Sequence, residues 1–196
     1  MGKSELLDPT TMNIFHIIFG YLFAILGSIL CWICLVIWLF VDENGGLGKR
    51  DSTQVTTEYF NWHPFCMSFA FIAMMFSSLL SFELFPFSRK TNKYIHAICH
   101  SLAFIAAIAG LSIILDCHLI LSDKGILKSV HSIIGFLTLS LFITNYLHGL
   151  LVYLLSICGN HQCGCFGNDP QSKSIHKRIG LMVLIGGACN ILISQS

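Results

Sequence analysis

Five apolar runs, each long enough to cross a bilayer, alternate with short polar stretches along this chain. A hydrocarbon core of about 30 Å takes roughly 20 helical residues. The runs fall over 14–41, 64–85, 93–114, 130–157 and 175–194. Pro64 stands in the favoured first turn of the second run, and Pro86 stands where that run would stop. The pattern predicts an all-α fold, a polytopic transmembrane bundle. Residues 1–13 form its N-terminal stretch, 14–41 a flanking helix and 60–194 a core of four helices.

Composition agrees with the pattern. Charged residues are 11% of the chain, against about 25% in a soluble domain, which excludes a globular enzyme. The formal net charge of +1 gives no reason to expect nucleic acid as a partner, so membrane lipid is the expected surrounding. No secretory leader, myristoylation signal or N-glycosylation acceptor is read in the sequence. Loop charge then sets orientation. Lys3, Arg89, Lys90, Lys93, Lys173, Lys177 and Arg178 lie on one side, and Lys49, Arg50, Lys124 and Lys128 on the other. Seven basic residues against four place the N-terminus in the cytoplasm.

Histidine is costly in lipid and rarely stands there without a partner. His63, His96, His131 and His176 each open one of the last four runs. Alternate helices start on the same side, so His63 and His131 share the non-cytoplasmic end and His96 and His176 the cytoplasmic end. Two facing pairs at two depths are what two bis-histidine haems would need, with irons roughly 15–25 Å apart. Two axial imidazoles fill the iron, which leaves outer-sphere electron transfer. His131 is followed by Gly135 and His176 by Gly180, one turn on and on the same face, where a missing side chain would admit a flat porphyrin. His100, one turn past His96, is a candidate to hydrogen-bond a haem propionate or a water. No facing partner is evident for His16, His118, His148 or His161. Arg89, Lys93, Lys177 and Arg178 would cluster over the cytoplasmic pair and attract an anionic reductant; Lys128, with Lys124, could do the same on the far side.

Asn61-Trp62-His63-Pro64-Phe65-Cys66-Met67, the His96/His100 spacing with Lys93 ahead of it, Val130-His131-Ser132-Ile133-Ile134-Gly135 and Ile175-His176 with Gly180 together resemble the cytochrome b561 family, the ascorbate-reducible transmembrane dihaem cytochromes. The resemblance runs over about 60–193. It implies two b haems on His63, His96, His131 and His176. It also implies cytoplasmic ascorbate as donor, and monodehydroascorbate or a ferric chelate as acceptor. The chain would then be an ascorbate-dependent transmembrane oxidoreductase. Such a multi-pass protein would reside in a vesicle, lysosomal, ER or plasma membrane, with a homodimer compatible with the pattern. The family's six helices compare with five runs here. Where its ascorbate-type members carry an aromatic–arginine pair, this chain reads Leu79-Leu80-Ser81-Phe82-Glu83.

Two other functions are compatible with intramembrane histidines. A divalent-metal or proton transporter would want carboxylates near mid-membrane, and the runs offer only Glu83, near an end. A non-enzymatic partner of a full-length paralogue is the other. The loop before His176 also carries Cys158, His161, Cys163 and Cys165, which fit a soft-metal site, S-palmitoylation or a plain reduced loop. The remaining cysteines lie in or beside apolar runs, behave as small hydrophobes and give no disulfide framework.

Overall fold

The computed structural model describes residues 19, 23, 26–38, 40, 46–84, 88–121, 127–157 and 170–194. Helix α1 spans Leu26–Trp38. The second run folds as a continuous rod of four pieces: α2 (Thr57–Phe60), α3 (Trp62–Ser68), a π-helical stretch Phe69–Met75, and α4 (Phe76–Leu84). Then follow α5 (Arg89–Ile120), α6 (Val130–Ile157) and α7 (Pro170–Ile193). No strand occurs among the described residues. Four of these rods are long and apolar enough to cross a membrane. The chain is therefore a multi-pass helical membrane protein.

Three helices start earlier than their apolar runs do, because the first turns are polar and capped. Thr56 Oγ1 accepts from Tyr59 N–H at 3.2 Å, so the second rod begins seven residues before Pro64. Pro64 lies two residues into α3, where the absence of its N–H is still tolerated. Ser88 Oγ accepts from Thr91 N–H at 3.2 Å and caps α5 at Arg89 rather than Lys93. Pro170 starts α7 five residues before Ile175, in the position its fixed φ favours. At its far end α5 runs past Ile114 and takes in Asp116, which is possible because that carboxylate finds partners. Arg50 grips it through two nitrogens at 2.6 and 2.9 Å, and Tyr59 Oη–H donates to it at 2.8 Å. The histidines therefore sit one or two turns inside their helices. Of the flanking run, α1 and a few separate residues are described.

The second rod packs along α5, and α6 packs along α7; α7 also crosses the π-helical stretch. Going round the bundle, the diagonals are the second rod with α6, and α5 with α7. Lipid tails are as apolar as leucine, so these contacts rest on close packing rather than on exclusion of water. Two glycines on α7 permit it: a Cβ on Gly186 would lie 2.7 Å from Thr138 Oγ1, and one on Gly187 2.8 Å from the Phe71 ring. The centre holds Phe142, Met75, Phe71, Ala103, Ala107 and Val183. Ser68, Ser78, Ser81, Thr138 and Asn145 are also buried, while Ile98, Leu102, Ile105, Phe136, Leu137 and Ile185 face outward. That polarity, with hydroxyls inside and large aliphatics outside, suits a lipid surround.

A loop over 46–56 is tied to the outer end of this bundle. Gly46 adopts φ 72°, which glycine does without strain. Gly46 O accepts from Asn61 Nδ2 and Gly48 O from Trp62 Nε1, each at 2.9 Å, and Gly48 N–H donates to Glu58 O at 2.9 Å. Within the loop the Thr53 hydroxyl and N–H hold the Asp51 carboxyl below the usual carboxylate range.

Candidate haem-binding site

The bundle brings its histidines together across its two diagonals. His63 on α3 meets His131 on α6 with ring centres 6.4 Å apart and planes 83° apart. His96 on α5 meets His176 on α7 at 6.2 Å and 67°. These are the two pairs that helix parity predicts. Their spacing can be set against the chemistry of one metal between two imidazoles. A metal–imidazole bond is about 2.0–2.1 Å, and a ring nitrogen lies roughly 1.1 Å from its ring centre, so two such bonds in line separate the ring centres by about 6 Å. Both pairs have that spacing.

Hydrogen bonding fixes which nitrogen is free. His63 Nδ1–H donates to Gly110 O at 2.8 Å, and His131 Nδ1–H to Asn190 O at 3.1 Å. A carbonyl can only accept, so in both rings the proton sits on Nδ1 and the Nε2 lone pair is left for a metal. His96 follows the same rule. Its Nδ1–H is shared between Ser78 O at 3.0 Å and Ser78 Oγ at 2.9 Å, while the Ser78 hydroxyl donates back to His96 O at 3.3 Å. Holding the second ring nitrogen in this way is how proteins orient metal-ligating histidines. His176 is different: its Nδ1 is buried without a hydrogen-bond partner among the described residues.

The carbonyls repeat a pattern. Gly110 lies 14 residues after His96 on α5, and Asn190 lies 14 residues after His176 on α7. Each of these helices therefore carries one inner histidine and, about 21 Å further on, the carbonyl that holds an outer histidine. That distance is also the depth between the two pairs. Donor set, tautomer and spacing all fit two b-type haems.

Other residues singled out in the sequence fall as follows. His100 is 7% exposed, 4.5 Å from the His96 ring and stacked on Phe142 at 6.1 Å; its Nδ1 is buried without a partner. A Cβ on Gly135 would lie 2.8 Å from Asn190 Nδ2, so this glycine makes room for the residue that holds His131; Gly180 has only ordinary contacts, with Asn145 and Leu79. Lys93, Lys177, Arg178 and Lys128 are exposed. Arg89 is the first residue of α5 and Glu83 lies in α4. His16, Lys124, Cys158, His161, Cys163 and Cys165 lie outside the described residues. All six described cysteines are free. Sequence reasoning missed Ser78, whose role needs the α4–α5 contact to be known. It also missed His148, whose ring lies 6.1 Å from His176. Depth arithmetic carries that signal: His148 is 17 residues after His131, about 26 Å along α6 and so at the inner end.

Fold and interior thus define a multi-pass helical membrane protein with paired imidazoles at two depths. A family model described as eukaryotic cytochrome b561 matches residues 62–195, and the chain belongs to the cytochrome b561 family. Haem b is the cofactor this membership implies. The transmembrane ascorbate-dependent reductase CYB561 of Sus scrofa is 37% identical over 113 residues, 56% of this chain and 42% of that protein. The human protein of the same name is 33% identical over the same length. The lysosomal membrane ascorbate-dependent ferrireductase CYB561A3 of Danio rerio is 25% identical over 169 residues, 84% of this chain and 63% of that one. The chain thus spans about two-fifths of the length of the CYB561 reductases it matches.

Proposed function

We propose that this chain carries electrons across a membrane, from cytoplasmic ascorbate to monodehydroascorbate or a ferric chelate on the other side. It would be an ascorbate-dependent transmembrane oxidoreductase whose core, 60–194, holds two b haems. The observation that carries this reading is the pair of imidazole–imidazole spacings, 6.4 and 6.2 Å, at two depths in one bundle. The relatives' names, an ascorbate-dependent reductase and an ascorbate-dependent ferrireductase, supply the donor and the acceptor class.

When bound, haem b supplies a one-electron carrier with both axial positions filled. The chain's own residues do the rest. His63 and His131 would hold the outer group, and His96 and His176 the inner one, each through Nε2. Gly110 O, Asn190 O and Ser78 keep three of these rings in the required tautomer. His100 is placed to bond a polar edge of the inner group. Arg89, Lys93, Lys177 and Arg178 would draw the ascorbate anion to the inner face, and Lys128 would serve an anionic acceptor outside. The aliphatic outer surface keeps the bundle in lipid.

Purified chain should show two low-spin b haems. In vesicles holding ascorbate inside, it should reduce external ferric chelate. Purification with no haem, or haem-loaded vesicles that pass no electrons, would refute the proposal.

A further inference from the structure

His176 is the exception to the acceptor pattern, and its surroundings suggest what replaces the missing carbonyl. Three of the four paired rings give their Nδ1 proton to a main-chain oxygen, whereas His176 Nδ1 is buried without a partner. By the bundle's repeat, α6 would supply an acceptor to α7 as α4 supplies Ser78 to α5. What α6 presents is Gly149 and His148. A Cβ on Gly149 would lie 3.1 Å from His176 Cε1 and 3.8 Å from its Nδ1. This turn of α6 therefore lies beside the unsatisfied nitrogen, and the His148 ring is 6.1 Å away, centre to centre. His148 is itself held: its Nε2 is 3.3 Å from Ser172 Oγ, and Ser172 is one turn before His176 on α7.

We infer that His148 is a positioning residue for the inner haem, the side-chain acceptor for His176 Nδ1–H, oriented by Ser172. This rests on His176 being an axial ligand. With His148 Nε2–H donating to Ser172 Oγ, His148 Nδ1 keeps its lone pair and becomes an acceptor. Ring centres 6.1 Å apart bring the facing nitrogens no closer than about 4 Å, so one water or a closure of about 1 Å completes the bond. An acceptor on Nδ1–H makes an imidazole a stronger electron donor. It therefore favours the ferric state and lowers the potential of the inner group alone.

The test is a spectroscopic redox titration of the full-length chain in nanodiscs. The inner component is identified by its survival in His63→Ala. His148→Phe should raise the inner midpoint by about a tenfold change in equilibrium constant, about 59 mV for one electron, and leave the outer one unchanged. His148→Gln, whose carbonyl oxygen can accept, should restore the wild-type midpoint. Ser172→Ala should shift it in the same direction as His148→Phe, by less. An unchanged or lowered inner midpoint in His148→Phe, with both haems bound, overturns the inference. If His148→Phe loses the inner haem, Ser172→Ala decides: a raised midpoint supports the inference and an unchanged one overturns it. Wild-type protein that binds no haem overturns the dihaem reading and this inference with it.

Discussion

The outer and inner histidine pairs are built on different principles. Around His63 and His131 the acceptors are main-chain carbonyls on α5 and α7, and a loop fastened to Asn61, Trp62 and Asp116 adjoins that end. No change of residue type removes a carbonyl, so the outer pair can be disturbed only by displacing backbone. Around His96 and His176 the surroundings are side chains: the Ser78 hydroxyl, His100 and His148. The outer pair is therefore fixed by the fold, and the inner pair is open to adjustment one residue at a time.

The largest effect expected is loss of a haem. His63→Ala or His131→Ala should halve the haem bound per chain and keep the inner spectrum, and His96→Ala or His176→Ala should do the converse. Pyridine haemochrome assays of the four proteins would show it, and loss of both haems from any outer variant would break the independence of the two ends. Next come the glycines. Leucine at Gly135 must push aside Asn190, 2.8 Å away, and with it the carbonyl on His131; leucine at Gly149 must push His176 itself. Overpacking of this kind costs about 1–3 kcal/mol. Gly135→Leu should deplete the outer haem and Gly149→Leu the inner one, as read from their separate optical bands.

Smaller effects concern reduction. Lys93→Gln should slow reduction by ascorbate roughly three- to tenfold, the share of a charge-assisted contact left after screening. Lys128→Gln should leave that step unchanged, and Glu83→Arg should speed it. Stopped-flow traces of vesicles with ascorbate inside would decide, and equal rates for all four proteins would remove the docking role. The smallest shift belongs to Ser78→Ala. The main-chain oxygen still accepts from His96, so the inner midpoint should move by about 0.5 kcal/mol, roughly twofold. A shift equal to that of His148→Phe would show that the hydroxyl, not the carbonyl, carries the bond.

Which histidines meet was legible from hydropathy and parity, since both survive errors of a turn at each helix end. The ends themselves were not read correctly, because the apolar run was taken for the helix. The capping signals at Thr56, Ser88 and Pro170 stand in the sequence, but polar first turns hide them from hydropathy. The π-helical stretch Phe69–Met75 has no signature in its residues; it depends on packing against α5 and α7. Carbonyl acceptors are equally invisible, since Gly110 and Asn190 act through an atom that every residue has. His148 could have been found by depth but not by type, because an imidazole at a helix end also suits an interfacial role.

Where the tryptophans stand has a consequence for how the protein can be watched. The chain has three, Trp32, Trp38 and Trp62. Trp32 lies against Phe65 and Phe69, Trp62 adjoins His63, and Trp38 lies further along α1, two residues before Phe40, whose ring abuts Gly46 in the outer loop. None adjoins His96 or His176 in sequence. Intrinsic fluorescence therefore originates near one end of the molecule. A chromophore seated between His63 and His131 would quench it by energy transfer at short range, whereas one seated about 21 Å deeper would quench it far less. Emission intensity thus gives an unlabelled optical readout of occupancy at the outer pair, independent of the absorbance that the two sites share.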